Sequence, residues 1–385
     1  MKNNKGITLV ALVVTIVVLL ILAGVSINLV LGNNGIIAKA KDAETKSAEA
    51  SQNDLKGMNG LVSEMEGALA GNGSNGSGSG NGNTGSGNNF VTKNTEVTYP
   101  DGKVWIPEGF KIAKDSVTTV QGGVVIEDKD GNQFVWVPVD TIADYKRTAY
   151  STNVATEETD TATNSIKIKP TSLSSYYFTE ALPEDEKTSV ERYKGFYIGR
   201  YEAGDKENTE AKTLRSSNDV TKTVTIKANQ APYNMVTRTQ AVSLAEGFAT
   251  KQGYKAKTKL VSSYAWDTTI AFMQKVNSDY GNSSEEGNYY DTRFSYTDIT
   301  GANQTKATNS VVLVPTGQTT AVCNIYDMGG NVWEWTTESC SYTDYPYARR
   351  GGNYSTFFAE DPAGFRIISS ANAYDTLGFR LTLFL

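Results

Sequence analysis

From Ile7 to Leu31 the chain runs 25 residues without a charge. As a helix rising 1.5 Å per residue, that run crosses a bilayer core of about 30 Å with some tilt. Lys2 and Lys5 precede it, so the positive-inside rule leaves a short N-terminus in the cytoplasm and everything after Leu31 outside. The run exceeds the roughly 7–15 apolar residues of a cleaved secretory signal, which leaves a membrane anchor. After Gly32-Asn33-Asn34-Gly35, the residues Leu55, Met58, Val62, Met65 and Leu69 recur at spacings of 3 and 4. This is one apolar stripe on a helix, weakened by Gly57, Gly60 and Gly67. It fits the exposed half of a long first helix or a short coiled-coil stalk. Residues 71–89 contain only Gly, Asn, Ser and Thr; such a segment is a flexible tether with a root-mean-square span of about 25 Å.

From residue 90 the pattern changes to short runs of β-branched and aromatic residues. Val104-Trp105-Ile106, Gly123–Ile126 and Phe134–Val137 read as strands, with turn signals at Asp101-Gly102 and Asp130-Gly131-Asn132. Helices are expected around Arg238–Thr250 and Ser263–Val276, and the Thr-, Ser- and Glu-rich segment 141–190 reads as an elaborated surface insertion. Few continuous apolar helices or βαβ alternations appear, which argues against Rossmann and barrel enzymes. The fold class predicted is α+β.

Composition narrows the chemistry. The 385 residues carry 36 Lys+Arg against 42 Asp+Glu, a net charge of -6, with no histidine. Mild acidity argues against a nucleic-acid partner. The lack of histidine removes the commonest general base and every His-ligated metal site. Two cysteines are too few for a disulfide scaffold or a four-thiolate zinc site.

Lys5-Gly6-Ile7-Thr8-Leu9-Val10-Ala11 resembles a type IV prepilin leader and the start of a mature pilin. The resemblance implies cleavage between Gly6 and Ile7, with Ile7 as the mature N-terminus. Ala11 stands where that family usually has Glu, a departure seen in some tip-located minor subunits. The implied layout is a leader at 1–6, a membrane and stalk helix at 7–70, the tether at 71–89, a small β-rich segment at 90–130, and a domain at 131–385.

Within that domain several motifs follow in order: Phe134-Val135-Trp136-Val137-Pro138, Gly195–Glu202, Pro232–Val236, Leu260–Asp267, Gly329-Gly330-Asn331-Val332-Trp333-Glu334-Trp335, Arg350-Gly351-Gly352-Asn353, Gly364-Phe365-Arg366 and Gly378-Phe379-Arg380. The set resembles the formylglycine-generating, sulfatase-modifying family, which implies a C-type-lectin-like fold. Local physics is consistent. Ser262 or Ser263 caps a helix, Gly329-Gly330 permits positive φ before a strand, and Trp333 and Trp335 share one face. Arg366 and Arg380 have Glu202 and Glu334 as candidate buried partners, and all of these residues read first as framework.

The family's oxidases use a cysteine pair after Arg-Gly-Gly to bind copper. Ser355–Leu385 contains no cysteine, so that site has no soft ligands, and neither a catalytic residue nor a metal or other cofactor is expected. Cys323 and Cys340 flank the Trp-Glu-Trp segment; they read either as a disulfide worth on the order of 3 kcal/mol or as two separate buried thiols.

The same fold serves the variable proteins of diversity-generating retroelements, which this chain resembles. Its scaffold motifs run to the C-terminus, the catalytic cysteines are missing, and the interval 341–376 is rich in residues reachable from Asn-type codons. The ligand-binding candidates are Tyr342, Asp344, Tyr345, Tyr347, Asn353, Tyr354, Ser355, Thr356, Phe357, Phe358, Ser370, Asn372, Ala373, Tyr374 and Asp375. Tyr, Ser and Asn supply large contact area and adaptable hydrogen bonds at low entropic cost. The expected protein is a pilus-associated adhesin with a variable head, inserted in the membrane before assembly and extracellular afterwards. Its expected partners are pilin subunits through the N-terminal helix and a protein or glycan ligand through the head. A structural tip pilin and a formylglycine-generating-type oxidase are the alternatives.

Overall fold

The computed structural model describes residues 89–150, 155–160, 165–170, 175–208, 218–282 and 285–385. The expected leader, the expected membrane and stalk helix and nearly all of the expected tether lie outside them. Among the described residues no helix is long and apolar enough to cross a membrane. The described residues form one compact unit.

In chain order the first strands are β1 (Thr95–Tyr99), β2 (Gly102–Ile106), β3 (Lys111–Ile112), β4 (Val125–Glu127), β5 (Gln133–Pro138), β6 (Ala155–Asp160), β7 (Ser165–Pro170) and β8 (Phe178–Thr179). Helix α1 (Glu184–Tyr193) leads into β9 (Gly195–Gly199), followed by the two-residue strands β10 (Gly204–Asp205), β11 (Val224–Thr225) and β12 (Ala231–Pro232). Then come α2 (Arg238–Gln252), β13 (Lys257–Leu260), α3 (Ser263–Met273), β14 (Phe294–Thr297) and β15 (Asn303–Lys306). The chain finishes with β16 (Trp333–Cys340), β17 (Tyr347–Arg350), β18 (Arg366–Ser369), β19 (Leu377–Phe379) and β20 (Leu381–Phe384).

Six strands form the central sheet, in the order β13-β20-β9-β5-β4-β3. Its inner strands are apolar on both faces because both faces are covered. Phe134, Trp136 and Tyr197 point into one cluster with Leu244, Ala245 and Phe248 of α2. Val135, Val137, Phe196 and Ile198 point into the other with Trp266, Ile270 and Met273 of α3. The period of two along each strand divides one sequence between two cores. The segment at 90–130 shares this architecture: β3 and β4 complete the sheet, and Val104, Ile106 and Phe110 enter the α2-side core.

Helix boundaries follow their caps. Thr237 and Gln240 form a capping box at α2, which ends at Gly253 in the left-handed region. Ser262 caps α3, its hydroxyl accepting from the Ala265 amide at 3.1 Å. Two expectations need correction. Among the described residues there are three α-helices rather than two, because the charged Glu184–Tyr193 lacks an obvious apolar stripe yet buries Val190 and Tyr193. Nor is segment 141–190 merely a surface insertion, since β6, β7 and β8 extend a second sheet, β18-β17-β16-β8-β7-β6, with β19 alongside β16. Arg147, Ile168 and Phe178 of this segment are fully buried.

Candidate functional site

The second sheet has two chemically opposite faces. Along β17, Ala348 and Arg350 are buried, whereas Tyr347 and Arg349 are half-buried on the other face. Register places Arg349 opposite Trp335 on β16 and Ile367 on β18, and Tyr347 opposite Ser369.

The inner face holds an ion cluster. Arg350 bonds Asp267 at 2.7 Å, and Arg366 bonds Glu338 at 2.9 Å. Arg366 also pairs with Asp267, and Arg147 with Glu338. Burial alone would raise the Glu338 carboxyl, but Arg366, Arg147 and Arg350 overcome it and hold it down to about 2. Arg366 therefore finds Asp267 and Glu338, and not Glu202 or Glu334 as the motifs suggested; only Arg380 takes Glu334, at 2.8 Å. Glu202 instead accepts from the Asn331 carboxamide.

Around Arg380 the charge balance reverses. Glu202, Asp327 and Glu334 are all buried beside this one guanidinium. Burial raises all three carboxyls, Glu334 to about 7, and their mutual repulsion acts in the same direction for Glu202 and Glu334. Gly330 (φ 72°) and Asn331 (φ 55°) are left-handed in the turn leading to β16. A Cβ on Gly330 would meet the Asn288 carbonyl at 2.5 Å, so this glycine is required.

The binding candidates fall in three groups. Tyr347, Ser370 and Tyr374 lie about Arg349 and Trp333. The Arg349 guanidinium sits 5.2 Å from the Trp333 ring, and that of Arg238 sits 4.5 Å from Tyr347. Ser370 and Tyr374 hydroxyls are 3.3 Å apart. Backbone bonds from Met235 to Tyr374 and from the Asn234 side chain to Asp375 pin this segment. In the loop between β16 and β17, Tyr342 and Tyr345 stack at 5.7 Å with Asp344 exposed between them. The third group sets Phe357 on Tyr290 at 5.2 Å and Phe358 against Tyr289.

Exposure separates binding candidates from framework. Seven large hydrophobic side chains are exposed among the described residues, and four belong to the candidate set: Tyr342 (41%), Tyr345 (43%), Phe357 (41%) and Tyr374 (39%). Ser355, Asn372 and Asp375 are also exposed, while Thr356, Phe358, Ser370 and Ala373 are half-buried. Asn353 and Tyr354 are buried. The Asn353 carboxamide oxygen accepts from the Ser355 amide at 2.7 Å and its hydroxyl at 2.8 Å, which closes a turn. Arg238 and Arg349 were not singled out from sequence; the only available signal was the alternation of Arg349 with Tyr347 before Arg-Gly-Gly.

Both cysteines are buried free thiols. They occupy different core clusters. Burial pushes Cys323 up to about 12 and raises Cys340 as well, so neither has the thiolate character of a reactive cysteine. This decides the alternative that the sequence left open against the disulfide.

The sequence profile of the sulfatase-modifying factor enzyme 1-like domain matches residues 78–383. The sheet-rich architecture with three helices fits a domain of that kind. Among curated proteins, none matches. Three solved structures are similar in part. CarF is 14% identical at a TM-score of 0.35, covering 50% of this chain and 87% of its own. PvdO from Pseudomonas aeruginosa is 16% identical at 0.36, covering 68% and 98%. Treponema denticola variable protein 1 is 13% identical at 0.34, covering 66% and 96%.

Proposed function

The chain belongs to the family of sulfatase-modifying factor enzyme 1-like domains, and we propose that it is a ligand-binding head rather than an oxidase. The observation that carries this reading is the concentration of exposed aromatics in 341–376, where four of the seven large hydrophobic side chains exposed among the described residues fall. A surface of this kind marks an interaction site, and its Tyr-rich composition suits adaptable recognition. Against oxidation chemistry stand the two buried high-pKa thiols and the absence of cysteine from Ser355–Leu385.

The finer reading is a head diversified by a retroelement and displayed through the prepilin-like N-terminus. The apolar run Ile7–Leu31 anchors it before pilus assembly, and the glycine-rich tether at 71–89 lets it search for a protein or glycan ligand. Population sequencing of the gene and its flanks tests this. Substitutions concentrated in about 341–376, matching adenine positions of a nearby template copy, are expected. Uniformly low variation with no template refutes diversification. Deleting residues 90–385 separates an adhesin from a structural tip pilin: the adhesin loses attachment while piliation persists.

A further inference from the structure

Every strongly buried arginine of the head has a carboxylate partner: Arg147, Arg200, Arg350, Arg366 and Arg380 each make an ion pair. Arg238 and Arg349 are half-buried and make none among the described residues. Arg238, at the start of α2, lies over Tyr347, and Arg349 lies two residues along β17 from it, so both stand beside candidate ligand-binding residues.

Their surroundings show why the charge is left over. Arg238 donates to the Thr336 carbonyl at 3.0 Å and the Thr337 carbonyl at 2.9 Å, which fixes its plane over Tyr347. The acid that reaches it electrostatically, Glu180, is committed to the Ser263 amide at 2.7 Å and to the Ser263 and Thr337 hydroxyls. Arg349 lies over Trp333, and its Nε is buried without a hydrogen-bond partner. Asp361 interacts with it through space, but the two make no ion pair. An unpaired, partly desolvated guanidinium is costly, and a bidentate carboxylate is the group whose geometry repays it.

We propose that Arg238 and Arg349 form a fixed acid-reading pair in this binding face, and that the ligand is a protein segment presenting Asp or Glu carboxylates. This deepens the binding-head reading and rests on it. Tyr347 and Arg349 are two residues apart on one strand, about 6.6 Å, which is also the spacing of same-face side chains in an extended ligand. Because the Arg238 guanidinium lies 4.5 Å over the Tyr347 ring, an acidic strand laid along β17 brings successive same-face carboxylates towards Arg238 and Arg349. Arg238 lies outside the interval 341–376, and Arg349 lies within it but is not among the ligand-binding candidates. Diversification of Tyr347 or Tyr374 alters fit while Arg238 keeps the preference for acid.

The test is a calorimetric titration of the full-length chain with a hexaglutamate peptide, with hexalysine and sialyllactose as comparisons. Hexaglutamate is expected to bind, more weakly as salt rises. Arg349→Gln and Arg238→Gln are each expected to weaken it at least 10-fold, and Arg349→Lys to recover only part because the planar fork is lost. Thermal unfolding of each variant identifies any that fails to fold, and Arg349→Lys then carries the comparison. No binding of hexaglutamate, equal binding by the Gln variants, or binding of sialyllactose in its place overturns the proposal. Population sequencing reads the parent function independently. A diversified gene with no peptide binding removes only the acid-reading pair, and an invariant gene with peptide binding removes only diversification.

Discussion

Replacing Arg366 by Met tests whether the inner ion cluster holds the binding face in place. Arg366 lies at the start of β18 and bonds both Asp267 and Glu338. Removing one member of a buried ion network costs about 3–5 kcal/mol, because the remaining charges stay desolvated. For a domain of this size that lowers the melting temperature by on the order of 10 °C. The effect has a pH signature. Glu338 is held down to about 2 from an ordinary 4.5, a difference worth about 3 kcal/mol. A depressed carboxyl contributes stability above its unfolded pKa, and that contribution disappears as pH falls from about 4.5 towards 2. In Arg366→Met the Glu338 carboxyl moves back up, so less stability remains to be lost on acidification. Urea unfolding of parent and variant between pH 7 and pH 3 therefore gives a difference that is largest at neutral pH and narrows below about pH 4.5. A neutral-pH difference under about 1 kcal/mol, or one constant to pH 3, refutes the assignment of Arg366 as a principal partner of Glu338.

Other consequences concern the opposite charge balance, the thiols and the exposed aromatics. Glu202 is raised by burial first and then by Asp327 and Glu334, so its contribution is present at low pH and lost as pH rises. Glu202→Gln, which keeps an acceptor for Asn331, is expected to melt at or above the parent at pH 8 and level with it at pH 4; a clear loss at pH 8 counts against it. Neither Cys323 nor Cys340 should react with an aromatic disulfide reagent in the folded chain at pH 8, while both react in denaturant, and a fast equivalent in the native protein contradicts their burial. Combined Tyr345→Ala, Phe357→Ala and Tyr374→Ala should abolish ligand binding at about 1 kcal/mol or less per site in stability, whereas Trp266→Ala in the core should cost about 3–5 kcal/mol. A large drop in melting temperature for the surface triple would mark those residues as structural.

Local sequence determined features whose physics is local. The β-branched and aromatic run Phe134–Val137 specified a strand, Ser262-Ser263 marked the start of α3, and Trp333 and Trp335 faced one core as their spacing required. Polar turn neighbours marked Tyr342, Tyr345, Phe357 and Tyr374 as surface aromatics, but they marked Tyr354 in the same way, and the fold buries it. Helix α1 was not legible, since Val190 and Tyr193 are buried only when β9 and β20 are in place. Partnership of charges was legible only for Arg380 and Glu334. Arg366 is 99 residues from Asp267 and 28 from Glu338, and sequence offered no reason to choose them over Glu202. The same limit hid the unpaired state of Arg238 and Arg349. Whether an arginine is neutralised depends on every carboxylate the fold brings near it. Pattern thus decided which residues face inward and where turns fall, because those follow from backbone period and caps. Tertiary structure alone decided which charges meet, because electrostatic partnership depends on distance in space rather than along the chain.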